Sequence, residues 1–390
     1  MDKAVIIEAK RTPIGKLNGA LKNFTAEQLG TIVVKNLLEE TKLPASLVQQ
    51  VIFGNAIQAG TGQNVARQIE LRSGIPQTST AFTVNQVCGS GMQAIHQAQS
   101  ALLLNEAKLI IAGGTESMSN APYLNMTQRS PQKFGPITMP DALEHDGLRD
   151  SISGTLMGVT AENVAAKFHV SRHDQDQFAL SSHQKAIDAI NQHRFEDEMI
   201  PLKATNQADA ISQDEAVRFD TTLDKLAALK PAFKPEGTVT AGNAAGLNDG
   251  AAALILTTES NARALGISPI AEIISYTEAG IDPELMGYAP YLAINQLLDQ
   301  TKMTINDIDL IELNEAFASQ CVAVIRDLDL PINKVNINGG AIALGHPLGD
   351  SGARIVTTLI HNLKRTHKEI GVASLCMGGG MGSALALRML

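Results

Sequence analysis

A chain of 390 residues with 44% hydrophobic side chains exceeds the usual size of one domain, and two or three units sharing a large core are expected. Its 31 Lys and Arg against 40 Asp and Glu leave a net charge of −9, which argues against nucleic acid or an anionic membrane as the main partner but leaves room for a local basic patch. Three scattered cysteines suit neither a disulfide framework nor a four-ligand zinc site, no apolar run reaches the ~18 residues of a membrane span, and the start does not read as a signal peptide, so a reducing cytoplasm is expected.

Residues 4–9 read as a strand and 26–40 as a helix with Leu29, Val33 and Leu37 on its inner face. A second strand is expected over 48–55, and a short helix over 64–73 with Gly74 as its stop. Residues 79–84, rich in β-branched side chains and Phe82, read as a third strand. It runs into Asn85-Gln86-Val87-Cys88-Gly89-Ser90-Gly91, after which Met92, Ile95, Ala98 and Leu102 recur at helical spacing. Cys88 therefore falls at a strand-to-helix turn, where unpaired backbone N–H groups and the positive helix end favour a thiolate. Gly89 and Gly91 let another molecule approach the backbone there. An inert buried cysteine is the plain alternative, but the turn is analogous to the strained elbow that carries the nucleophile of hydrolases. A strand over 108–112 ends in Gly113-Gly114, and the alternation is that of an α/β protein.

From about 117 to 248 the texture changes. Residues 120–150 carry Pro122, Pro131, Pro136 and Pro140 with little periodicity and read as an extended excursion. Helices are expected over 160–169 and 174–192, the second opened by a capping box of Ser171 and Asp174. Arg129, Lys133, Arg149, Lys167, Arg172, Arg194 and Arg218 all lie in this stretch, which is expected to cover the active-site face and meet an anionic ligand. For any single one of these charges, a solvated helical surface is the simpler explanation.

The last third repeats the first. Residues 270–276 resemble the opening strand, Leu310-Ile311-Glu312-Leu313-Asn314 echoes Val51-Ile52-Phe53-Gly54-Asn55, Ser351-Gly352 echoes Ser90-Gly91, and residues 372–379 echo 109–114. A nearly constant offset of about 260 residues implies duplication of one α/β half. This half holds Asn314-Glu315-Ala316-Phe317-Ala318 directly after a strand, a glycine-rich loop over 338–352 with His346, and Cys376-Met377-Gly378-Gly379-Gly380-Met381-Gly382 at a strand end. A thiol, a histidine, a polar amide and donor-bearing turns at strand ends make a candidate site. Taken singly, Cys376 could fill core, Asn314 cap a helix and His346 bond a carbonyl. Cys321, inside the apolar pattern of 318–325, reads as packed core.

These four motifs, at 85–91, 314–318, around His346 and at 376–382, resemble those of the thiolases in order and separation, from end to end of the chain, and in particular those of the acetyl-CoA acetyltransferase branch. The resemblance implies an α/β thiolase fold, a duplicated five-layered αβαβα core with an inserted loop domain that binds coenzyme A. The N-terminal half would take 1–116 and 249–268, the insertion 117–248 and the C-terminal half 269–390. The implied reaction is the reversible Claisen condensation of two acetyl-CoA to acetoacetyl-CoA and CoA through an acyl-cysteine. A degradative 3-ketoacyl-CoA thiolase of broader chain length is the alternative. Cys88 would be the nucleophile, His346 its proton acceptor, and the backbone N–H groups of Cys88 and Gly378 the oxyanion hole. Cys376 would take the α-proton, and His346 with a water on Asn314 would hold the enolate. Coenzyme A thioesters are then substrates, with no permanently bound cofactor and no metal. Arg218 matches a position at the adenine end of the coenzyme, and Met157, Phe233, Met286 and Phe317 match apolar pocket positions. Leu156 stands where several biosynthetic members carry histidine, and Ala245 where a serine commonly bonds the pantetheine arm; both bear on selectivity and affinity rather than on the chemistry. Asp350 replaces a small residue and reads as an N-cap for the helix from Ser351. The family further implies a cytoplasmic homotetramer, a dimer of dimers paired through the excursion at 120–150. A ketoacyl synthase fits less well, because Cys376 occupies the base position and no second histidine lies in a comparable loop. A non-catalytic acyl-CoA binder would have no need of Cys88, His346 and Cys376 together.

Overall fold

A computed structural model describes residues 2–130, 132–203 and 210–390, so Pro131 of the predicted excursion lies outside the described residues. The first half runs β1 (Ala4–Arg11), β2 (Gly15–Lys16), α1 (Ala26–Thr41), β3 (Gln50–Gly54), α2 (Val65–Arg72), β4 (Thr80–Val84), α3 (Ser90–Leu103) and β5 (Leu109–Ser117). The insertion contributes α4 (Met157–Lys167), α5 (Arg172–Asn191) and α6 (Leu223–Ala227), after which β6 (Asn248–Thr258) and α7 (Glu259–Leu265) follow. The last third is β7 (Ala271–Gly280), α8 (Ala289–Thr301), β8 (Leu310–Leu313), α9 (Ala318–Asp327), α10 (Ala341–Leu344), α11 (Leu348–Thr366), β9 (Ile370–Met377) and β10 (Met381–Met389).

Local chemistry accounts for many of these bounds. Thr25 and Gln28 form a capping box that opens α1, and Ser171 and Asp174 form the one read from the sequence before α5. Every residue of β6 is buried, so its Ala-Ala-Ala-Leu-Ile-Leu run shows no alternation.

The strands form one sheet in the order β4-β3-β5-β6-β1-β7-β10-β9-β8, with β2 paired to β6. Read from either end the pattern is the same. β3 and β5 run parallel, as do β8 and β9, and β6 and β10 are antiparallel to the neighbours that follow. The repeat in sequence is thus a repeat of topology. The halves meet through two residue pairs, Val5 with Glu272 and Ile6 with Ala271. In place of a second β4 there is a single parallel bridge, Ile311 with Val335.

Three apolar clusters separate five layers. Leu29, Val33 and Leu37 of α1 and Ile69 of α2 bury against Phe53 and Ile255 on the outer face of the first half-sheet. Ile95 of α3 and Ile355 and Leu359 of α11 fill the space between the half-sheets, against Ile110 and Leu375. Ile294 and Leu297 of α8 and Val324 of α9 pack on Val372 and Ala386 of the second half-sheet. Each such side chain contributes roughly 1.5–3 kcal/mol on burial. The central helices touch closely where they begin. A Cβ on Gly91 would lie 2.7 Å from the Ala353 amide nitrogen, and one on Gly352 would lie 2.4 Å from that of Met92. Those two glycines bring the N-termini of α3 and α11 together.

The excursion holds a lone bridge of Tyr123 with Asp141 and a π-helical turn Leu143–Leu148, and it exposes Tyr123, Met126, Phe134, Ile137 and Met139. Buried Arg11 ties the insertion to the core through Glu198 at 2.6 Å and Asp214 at 2.8 Å. Among the described residues no helix is long and apolar enough to cross a membrane.

Asp350 does not cap a helix. Pro347, with φ at −67°, already starts α11 at Leu348, so Asp350 falls at its third position and is carried into the core. Its Oδ1 has no hydrogen-bond partner among the described residues, and burial pushes its carboxyl up to about 8 against the opposing pull of Arg354.

Candidate active site

The turn after β4 is held by its own polar groups. Asn85 accepts from the Val87 amide at 3.0 Å and donates to Ala56 O, while Ser90 Oγ accepts from the Gln86 amide and donates to Val87 O. The result forces Val87 to φ +51°, uncommon for a β-branched residue, and sets Cys88 just ahead of α3. The backbone N–H groups of Gly378 and of Cys88 itself pull the Cys88 thiol toward its charged form. Gly378 follows directly on β9, and the left-handed Gly379 and Gly380 turn the chain into β10.

His346 lies between α10 and α11. Asn248 Oδ1 accepts from its amide at 2.9 Å. Its Nδ1 is 2.6 Å from Ser351 Oγ, and that hydroxyl donates to Pro347 O at 2.8 Å. The serine proton being committed, Nδ1 must be the donor and Nε2 carries the free lone pair. Nε2 is buried without a partner among the described residues. Burial, with the Arg354 guanidinium adding, pushes His346 down to about 3, so the ring is neutral at physiological pH.

Cys88, His346 and Cys376 meet at a cavity of about 50 Å³ walled by Met118, Leu148, Met157, Met286, Phe317 and Leu348, with Ala245 and Leu247 also on its lining. A larger cavity of about 740 Å³ beside Phe195 and Asp214 holds none of the three. The thiolate expected from the helix end does not follow. Cys88 is 3% exposed, and its burial, together with the neighbouring Cys376 sulfur, pushes the thiol well above its ordinary value despite the two N–H donors. Burial likewise pushes Cys376 up to about 12. Cys88 and His346 thus rest as a neutral thiol and a neutral imidazole.

Asn314 sits at the end of β8, its amide N–H on Ser374 O, and neither polar atom of its buried side chain has a partner among the described residues. Its counterpart in the first half, Asn55, donates instead to Thr115 O and Glu116. Of the coenzyme positions, Met157, Met286, Phe317 and Ala245 line the cavity. Leu156, Phe233 and Arg218 do not. Leu156 is the residue before α4, Phe233 stacks edge-on against Phe317 at 6.2 Å, and Arg218 is exposed with its amide on His183. Sequence reasoning missed Ser351 and Asn248, which orient His346, and Gln320, whose Oε1 is 3.3 Å from Cys376 Sγ. Ser351 had marked the repeat, and a polar residue one turn past a loop histidine was the available signal.

The arrangement brings two thiols and an imidazole with its Nε2 lone pair free to one cavity. Two family descriptions match the chain in tandem, the thiolase N-terminal domain over residues 4–260 and the thiolase C-terminal domain over 267–389. The chain belongs to the thiolase family. This thiolase is 47% identical to a probable acetyl-CoA acyltransferase of Staphylococcus epidermidis over 98% of both chains, and 45% identical to an acetyl-CoA acetyltransferase of Paracoccus denitrificans over 99% of both. Among solved structures it superposes with a TM-score of 0.97 on the Bacillus anthracis acetyl-CoA acetyltransferase, at 43% identity over 100% of this chain and 99% of that one. Human mitochondrial 3-ketoacyl-CoA thiolase gives 0.97 at 42% identity, with the same coverage. The fold expected from the motifs is the thiolase fold.

Proposed function

We propose that this thiolase is an acetyl-CoA C-acetyltransferase, condensing two acetyl-CoA to acetoacetyl-CoA and CoA and running in reverse as a thiolysis. The observation that carries the reading is the meeting of Cys88, His346 and Cys376 at one cavity, in a chain 45–47% identical over nearly its whole length to proteins named acetyl-CoA acetyltransferase or acyltransferase. Methionine, leucine and phenylalanine walls suit the apolar end of an acyl group.

Proton balance assigns the roles. His346 Nε2 takes the Cys88 proton as the sulfur attacks the thioester carbonyl, and the N–H groups of Cys88 and Gly378 receive the oxyanion. The CoA thiolate leaves and takes a proton from Cys376, while His346 stays protonated. Cys376, now a thiolate, removes the α-proton of the second acetyl-CoA, and the enolate oxygen is held by His346 and by a water on Asn314. The enolate attacks the acetyl-Cys88 carbonyl, the sulfur leaves and His346 returns its proton. The substrates are coenzyme A thioesters.

In this reading Arg218 meets the nucleotide end of the coenzyme, and Leu156 and Phe233 stand one layer outside the thioester channel. The core halves take 1–116 with 249–268, and 269–390, and the loop domain takes 117–248. We further assign a cytoplasmic homotetramer. Three buried free cysteines suit a reducing compartment, and the exposed apolar side chains of the excursion suit a contact between dimers.

The test is steady-state thiolysis of acetoacetyl-CoA against a long-chain 3-ketoacyl-CoA. Preference for the short substrate by about tenfold or more in kcat/KM is expected. Equal or better use of the long chain overturns the assignment in favour of a degradative 3-ketoacyl-CoA thiolase. Cys88→Ser should abolish turnover in either case.

A further inference from the structure

Cys376 has a hydrogen-bond partner behind the cavity, and that partner belongs to a chain of three. The Cys376 thiol donates to Gln320 Oε1 at 3.3 Å. Gln320 Nε2 donates to Cys321 Sγ at 3.2 Å, and the Cys321 thiol donates to the backbone oxygen of Asn314 at 3.6 Å. Gln320, Cys321 and Cys376 are all fully buried, and Asn314 nearly so. The three consecutive links begin at one catalytic group and end on the residue that bears another.

In the reaction above Cys376 alternates between thiol and thiolate, and the two states need opposite partners. A thiol needs an acceptor. A buried thiolate needs a donor, because among the described residues no cation pairs with it and burial holds the sulfur protonated. A primary amide offers either group, depending on which way it faces. Cys321 completes the device, since its thiol can accept from Nε2 or donate to Oε1.

We propose that Gln320 and Cys321 form a two-position amide switch that keeps Cys376 hydrogen-bonded in both of its protonation states, and that they are positioning residues for removal of the α-proton. In the arrangement described, Cys376 S–H meets Oε1 and Nε2–H meets Cys321. With the amide turned through half a revolution, Nε2–H meets the Cys376 thiolate and the Cys321 S–H leaves the Asn314 carbonyl for Oε1. No covalent bond changes and no proton crosses the chain; the hydrogen bonds exchange, and the one given up to Asn314 is the longest of the three. The stem of Gln320 is fixed while its end turns, because a Cβ on Gly287 would come within 2.7 Å of Gln320 Cβ. An apolar side chain at 320 would leave Cys376 without this partner in both states, and one at 321 would leave the far end of the Gln320 amide unpaired whichever way it faces, so that the amide is no longer held in either position.

The proposal rests on the acetyltransferase reading and is tested on the intact enzyme with acetyl-CoA. Two readouts separate the half-reactions: the burst of CoA release that marks acetyl-Cys88, and exchange of acetyl-CoA methyl protons in D₂O followed by NMR. Cys321→Ala should slow exchange by about fivefold, the worth of one hydrogen bond. Cys321→Ser, which restores a donor and acceptor, should return exchange to within about twofold of the unaltered enzyme. Gln320→Met keeps the stem against Gly287, carries the same expectation as Cys321→Ala, and replaces it if that variant is insoluble. Exchange unchanged in the alanine or methionine variant, or a serine variant no better than alanine, overturns the switch. No burst in the unaltered enzyme overturns the parent reading and the switch with it.

Discussion

His346 Nδ1 reaches one side chain, Ser351 Oγ, and that contact decides which ring nitrogen faces the cavity. Ser351→Ala removes the acceptor for Nδ1–H and lets the ring turn or change tautomer. A loss of about tenfold in kcat/KM is expected, with the folded state and the acyl burst amplitude retained. Steady-state kinetics beside a thermal melt checks both halves of that statement. Asp350, four residues from His346, makes a stability prediction whose sign follows from burial. Its carboxyl stands at about 8 in the folded chain against an ordinary 3.8, so the folded state holds a proton that the unfolded state releases. The stability this gives is complete below pH 3.8 and is lost as the pH rises through 8. Asp350→Asn, which mimics the neutral acid, should match the parent melting temperature near pH 4 and exceed it by several degrees at pH 9. A difference independent of pH would show that Asp350 is not the titrating group.

At the scale of elements, what brings Cys88 to His346 is the contact between the starts of α3 and α11. Gly91→Ala would drive a methyl to 2.7 Å from the Ala353 nitrogen, with backbone rather than a yielding side chain opposite. Overpacking of this kind costs roughly 1–3 kcal/mol or more, and here it also separates nucleophile from base. A lowered melting midpoint is therefore expected together with a fall in kcat larger than that of Ser351→Ala. Much of the fold was legible in the sequence: α1, α3 and α5 showed their apolar stripes or caps, and the echo of β3 in β8 announced the duplication. β6, β10 and α8 were not. β6 is buried on both faces and shows no period to read, although it sits at the middle of the first half-sheet. The same division runs through the site. Cys88, His346 and Cys376 sit in glycine-rich motifs that stand out from their surroundings, whereas Ser351, Asn248 and Gln320 act on them through folding and carry no local mark. The ionisation of Cys88 was misread for a physical reason, since helix-end geometry is local and desolvation depends on everything packed around the sulfur.

For the whole molecule, the charge of −9 and the surface around 120–150 point in different directions, one toward staying apart and the other toward association. Phe134 is 96% exposed, with Tyr123, Met126, Ile137 and Met139 exposed in the same segment. A run of five such residues on one excursion is the pattern of a surface that is covered by a partner. Cys88, His346 and Cys376 lie elsewhere, just ahead of α3, between α10 and α11 and on β9 of the same chain. Assembly through the excursion and catalysis are therefore separable. Replacing Phe134, Ile137 and Met139 together by serine should move the protein from a tetramer to a dimer in light scattering, with kcat within about twofold of the parent. A tetramer that survives the triple change would place the dimer contact elsewhere. A dimer with lost activity would show instead that the excursion supports the π-helical turn 143–148, whose last residue, Leu148, lines the cavity.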